Sequence, residues 1–191
     1  MTRTPRQQKY FGLRSSTDLF LKLVYDIERL RNANSSTAIQ YAAIDAAVTG
    51  SHILDWVLVE LDSEAYLRLT GLKKGKKIKK GEVGPIQTFI HLNEKEMPAI
   101  DYCRRIANNV KHRTSELGGP MKDMAIGSTV KLIWKDKKLT DTHPTAYIQK
   151  EPGGEKINVL DLFDSMAEQW HDFLVGEGLW VEQPPDWDDQ A

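Results

Sequence analysis

Cysteine is almost missing from this sequence: Cys103 is the single one in 191 residues. A disulfide within the chain and a cysteine-built zinc site are thereby excluded, and such usage suits a reducing compartment. A charge excess is missing too. The 26 Lys+Arg and 27 Asp+Glu leave a formal net charge of −1, so no global field draws the chain to nucleic acid or to a membrane, and any such affinity has to come from a local patch. No apolar run approaches the ~20 residues of a membrane span, and the leading MTRTPRQQKY lacks a signal-peptide core. The expectation is a cytoplasmic protein without a membrane partner. The Walker loop and the dinucleotide-binding glycine pattern are absent as well, and no cofactor and no metal are expected.

What is present is ordinary globular composition, 40% hydrophobic and 28% charged, at a length that fits one domain. Residues 1–15 read as a loose basic arm. Leu19, Leu23, Ile27 and Leu30 recur at spacings of three and four and predict a first helix, capped by Ser16, Thr17 or Asp18 and broken at 32–36. Ser36 or Thr37 opens a second helix to about residue 62, rich in alanine (Ala42, Ala43, Ala46, Ala47). Residues 63–84 read as an exposed loop between helices, because Lys73, Lys74, Lys76, Lys77, Lys79 and Lys80 crowd between glycines. A third helix is predicted over 98–113, with 85–92 either a short helix or an extended approach. Alternation of Val130, Leu132 and Trp134 with Lys131, Ile133 and Lys135 predicts a β-hairpin over 128–150, its long loop holding Asp141, His143 and Pro144. Asn158 caps a fourth helix carrying Leu160, Phe163, Met166, Ala167, Trp170 and Leu174 on its core side, and 179–191 forms an acidic mobile tail. The fold expected is mainly α: an antiparallel four-helix bundle over 16–178 with a β-hairpin inserted before the last helix. Trp56, Trp134 and Trp170 are read as packing residues, Trp180 and Trp187 as candidates for docking a partner, and Cys103 as a buried, inert thiol.

The third helix carries the chemistry. Asp101, Arg105, Asn108 and His112 follow spacings of four, three and four and form one polar line, flanked by Arg104, Asn109 and Lys111. On the second helix Asp45, Thr49, His52 and Asp55 form another. Were the two helices neighbours, His52 and His112 would face one groove. The plain alternative is that each line is a solvated face. The lysine run, with Arg104 and Lys111, can grip a nucleic-acid backbone or can simply be solvated.

On these residues the chain resembles the HEPN superfamily, helical domains marked by an arginine followed four to six residues later by a histidine. Arg105 is followed by residues 106–111 and then His112; the His52-x-x-Asp55-Trp56 and Asn108-x-x-Lys111-His112 segments are similar too. The resemblance covers about 16–177, with the hairpin as an insertion, and departs where the family's polar residue after the arginine is Ile106. It implies a homodimer with metal-independent ribonuclease activity, in which His112 is the acid/base, Arg105 holds the phosphate and Asn108 orients either group. RNA is the implied partner. The chemistry is coherent: histidine titrates near neutrality, and a guanidinium meets the charge that develops on phosphorus. Two other readings stand beside it. One is a non-catalytic module that binds nucleic acid or a protein partner. The other is a His-metal bundle enzyme drawing on His52, His91, His112 and His171.

Overall fold

The computed structural model describes residues 12–111, 125–149 and 153–182. Those residues form α1 (Ser16–Arg31), α2 (Ser36–Glu60), α3 (Ser63–Thr70), α4 (Pro85–Leu92), α5 (Ala99–Lys111), β1 (Ala125–Lys135), β2 (Lys138–Gln149), β3 (Lys156–Asn158) and α6 (Val159–Gly176). Residues 1–11 of the arm expected over 1–15, His112, and residues 183–191 of the tail expected over 179–191, Trp187 among them, lie outside the described residues.

Helix α2 is the centre of the molecule. Ala42, Ala43, Ala46 and Ala47 are buried, and both α1 and α5 pack on this helix. By length and composition alone α2 could cross a membrane, but its apolar residues Ile39, Ile53, Leu54 and Val57 are buried in the core of this fold. Gly50 lets α6 approach: a Cβ there would stand 2.8 Å from Met166 Cε and 3.0 Å from its Sδ. Charge pins α1 to α2. Asp26, 2% exposed, accepts from Thr49 Oγ1 at 2.7 Å and from Lys22 Nζ at 2.5 Å, so its carboxylate is compensated where it lies. Ser15 caps α1 in a reciprocal box with Asp18. At the same helix end Glu60, the last residue of α2, accepts from Ser16 N at 2.7 Å, placing negative charge at the positive end of α1.

The expectation of a mainly α four-helix bundle with one inserted hairpin is overturned. The described residues hold six helices and a three-stranded antiparallel sheet in the order β1-β2-β3. The sheet is part of the core layer: Ala146 and Ile148 of β2 are buried against α2 and α6. The third strand, Lys156–Asn158, pairs Ile157 with Ile148 and is too short to leave a periodic signal. The long loop expected around Asp141, His143 and Pro144 is strand instead. β1 and β2 meet at a two-residue turn, Asp136 and Lys137, both at positive φ, the geometry that matches strand twist.

The segment 63–84 is not all loop. Helix α3 starts on Asp62, whose carboxylate accepts from Glu64 N and Ala65 N, and stops at Gly71 in the left-handed region (φ 66). After α6 the chain turns back onto α1. Thr17 Oγ1 donates to Leu179 O and accepts from Val181 N, both at 3.1 Å. Trp180 packs edge-on against Phe20 and His171, so this tryptophan docks on its own chain.

Candidate functional site

Helices α2 and α5 are neighbours, which the sequence left open. Between them, closed on one side by α4, lies a cleft of about 180 Å³. Its apolar part is Leu54 of α2, Ile86 and Ile90 of α4, and Ile100 and Ala107 of α5; its polar part is Ser51, His52 and Asp55 of α2 with Arg104, Asn108 and Lys111 of α5. Two permanent cations, one imidazole, one carboxamide and one carboxyl thus share a pocket open to solvent. His52, Asp55 and Lys111 are exposed, and Arg104 and Asn108 half-buried.

Helical angles explain which residues meet. At about 100° per residue, 104, 108 and 111 stay within roughly 60° of one another, so one stripe of α5 presents all three. Residue 105 is turned by about 100° from 104. Accordingly Arg105 is absent from the cleft wall, and its Nε holds Asp101 Oδ2 at 2.7 Å, one turn back on the same helix. The polar line on α2 divides differently: positions 45 and 52 lie within about 20° of one another, so it is height along the helix axis that separates them. Asp45 and Thr49 meet α1, at Arg29 (3.0 Å) and Asp26. His52 and Asp55 line the cleft with α5.

The other sequence candidates lie elsewhere. Lys74 is structural: its Nζ donates to Val59 O at 2.7 Å and to Leu61 O, so it closes the carbonyl end of α2, where a cation is favoured. Lys76 pairs with Glu82 at 3.6 Å, and Lys73, Lys77, Lys79 and Lys80 are exposed. His112, the expected acid/base, lies outside the described residues. His91 is exposed and His171 packs on Trp180 with ring centroids 4.8 Å apart. Among the described residues no three of His, Cys, Asp and Glu gather as a metal-holding group. Cys103 is buried, with its Sγ 3.4 Å from Met166 Sδ, and burial pushes its thiol well above the ordinary value.

Asp55 is the cleft group with a displaced titration. Partial burial raises its carboxyl above 3.8, while the charges of His52 and Arg104 pull it back down. A raised folded-state value means the stability that rests on the neutral carboxyl is complete below the unfolded value and is lost as pH rises through the folded one. Asp55→Asn is therefore expected to need more urea to unfold than the native protein at neutral pH, with the gap closing below pH 3.8. Equal midpoints at neutral pH would show that Asp55 carries no burial cost.

No family model matches the chain, and neither a curated protein nor a solved structure does.

Proposed function

We propose that the α2–α5 cleft receives an RNA phosphate and that the protein is a metal-independent ribonuclease, the activity implied by its resemblance to HEPN proteins. The observation that carries this reading is the meeting of Arg104, Lys111, His52 and Asn108 in one open pocket. Two cations against one carboxyl make the pocket attractive to an anion. RNA offers what such a pocket can act on, a phosphodiester beside a 2′-hydroxyl.

In this reading His52 takes the proton of the 2′-hydroxyl as that oxygen bonds to phosphorus. Arg104 and Lys111 meet the negative charge gathering on the phosphoryl oxygens, and they are already in place before it forms. Asn108 donates its amide to one of those oxygens. The bond to the 5′-oxygen breaks, and that oxygen takes the proton that His52 has removed from the 2′-hydroxyl. The products are a 2′,3′-cyclic phosphate and a 5′-hydroxyl, so a strand of DNA is not cut. Arg105, the guanidinium of the family motif, acts through Asp101 to stiffen α5.

The test is incubation of end-labelled RNA with the protein, with and without chelator, beside His52→Ala and His112→Ala. Cleavage that persists in chelator, spares DNA and is lost in His52→Ala supports the proposal. Cleavage lost in His112→Ala but kept in His52→Ala overturns the role of His52 and leaves the family motif as the catalytic one. A second reading, capture of RNA without cleavage, is favoured by the engagement of Arg105 with Asp101; it predicts salt-sensitive binding and intact RNA.

A further inference from the structure

The hairpin carries a feature the cleft does not explain. Opposed residues of an antiparallel pair share a face, so the register places Ile126, Ser128, Val130, Leu132 and Trp134 of β1 on the face of Ile148, Ala146, Pro144 and Leu139 of β2. Near the base the β2 residues of this face, Ala146 and Ile148, are buried, while Ile126 of β1 is 40% exposed. Toward the turn the same face runs on past the helices into solvent. There Leu132 is 51% and Trp134 60% exposed, and Val130 and Leu139 are nearly as open. A bare tryptophan at the end of a hairpin is not packing, contrary to the sequence expectation for Trp134.

The charge around this strip has one sign in excess. Lys131, Lys135, Lys137 and Lys138 outnumber Asp136 among the charged residues at the tip whose side chains are described. Lys131, Lys135 and Lys138 lie on the opposite face of the ribbon, but a two-stranded ribbon is narrow, its strands only about 4.8 Å apart. β1 is also the edge of the sheet, and Lys137 sits in the turn itself, next to the end of the strip that carries Trp134.

We infer that the hairpin tip is a second contact for RNA, in which Trp134 stacks on an unpaired base and the lysines around it hold the neighbouring phosphates. An aromatic platform ringed by cations is how single strands are bound with little sequence preference. A duplex does not fit, because its bases already stack on one another. The strip's complement is therefore an unpaired, anionic strand. This inference rests on the proposal that RNA is the ligand, and it adds where a longer strand is held. Both contacts are anchored on α2. Gln40 Nε2 bonds Ser128 Oγ at the hairpin base at 3.3 Å, and His52 lies about 18 Å further along the helix axis. A dinucleotide fills the cleft alone, whereas a longer strand meets both.

The test measures binding of a fluorescein-labelled oligouridine by anisotropy and turnover of a dinucleotide, for the native protein, Trp134→Ala, Trp134→Phe and Lys135→Glu/Lys138→Glu. These positions are exposed, and circular dichroism checks that the variants fold. Trp134→Ala and the charge reversal are expected to weaken oligouridine binding about 10-fold, Trp134→Phe to keep most of it, and all to turn over the dinucleotide as the native protein does. Native-like oligouridine affinity in Trp134→Ala and in the charge reversal overturns the inference. So does a native dimer in sedimentation that Trp134→Ala dissociates without change in RNA affinity, since the strip is then a protein interface. Arg104→Ala separates the two claims: if it changes neither binding nor turnover, the cleft reading fails while the hairpin contact stands.

Discussion

Replacement of His52 by alanine is expected to slow RNA cleavage by about 10²–10⁴-fold, the range that one positioned proton-transfer group supplies. The loss should fall on kcat, because the imidazole moves a proton in the transition state and adds little to ground-state binding. Arg104→Ala is expected to behave differently. A guanidinium that meets phosphate both before and during the reaction raises KM as well as lowering kcat. The contrast follows from placement: His52 is exposed at the cleft mouth, while Arg104 is half-buried on the opposite wall. Equal effects on KM in the two variants would mean that His52 only holds the strand. Steady-state kinetics on a dinucleotide makes the distinction without interference from other contacts.

The second large effect is on stability. Trp170→Ala is expected to cost about 3–5 kcal/mol, read as a lower urea midpoint at unchanged slope. Trp170 is fully buried on α6. It lies parallel to Phe89 of α4, with centroids 6.5 Å apart, and edge-to-face with Phe173 at 5.6 Å. Its indole Nε1 has no hydrogen-bond partner among the described residues. Removing the ring therefore also removes a poorly satisfied N–H, which places the cost toward the low end and makes Trp170→Phe much milder. The consequence reaches the cleft, since Phe89 belongs to the helix whose Ile86 and Ile90 form its apolar wall. Loosening α4 is expected to weaken RNA binding along with stability. A Trp170→Ala protein as stable as the native one would contradict the packing described for α4 and α6.

The long helices were legible in the sequence because each repeats apolar residues over several turns; Asn158 caps α6 as expected, whereas the caps of α1 and α2 are Ser15 and Ser35, one residue before the serines expected at 16 and 36. The short elements were less so. Asp62 and Gly71 are sound start and stop signals for α3, but the helix between them is only two turns long and six nearby lysines suggest a loop. β2 runs through Pro144, a residue that ordinarily argues against a strand interior, and β3 gains its identity from pairing with β2. The sheet could not be weighed as a core layer because burial of Ala146 and Ile148 is a tertiary fact.

For the site, residue types were legible and the choice among neighbours was not. His52, Asp55, Arg104, Asn108 and Lys111 were all singled out, and the structure brings them together. A motif spacing favours Arg105 over Arg104, but 105/108/112 and 104/108/111 are equally tight stripes, each spanning about 60°. Which stripe faces α2 depends on how α5 is rotated, and that is set by burial of Ile100, Cys103 and Ile106. Trp134 illustrates the converse limit: alternation shows that a residue lies on the inner face of a hairpin but not that the helices end before reaching it.

The claim on which the rest depends is that Arg104 and Lys111 together neutralise RNA phosphate in the cleft. Its most direct test is the salt dependence of binding for a dinucleotide too short to reach the hairpin. Salt screens the attraction between one phosphate and two cations at a pocket open to solvent. The native protein should show a clear negative slope of log K against log salt, and the Arg104→Ala/Lys111→Ala protein should bind weakly with a slope near zero. Identical slopes and affinities in the two proteins would contradict it.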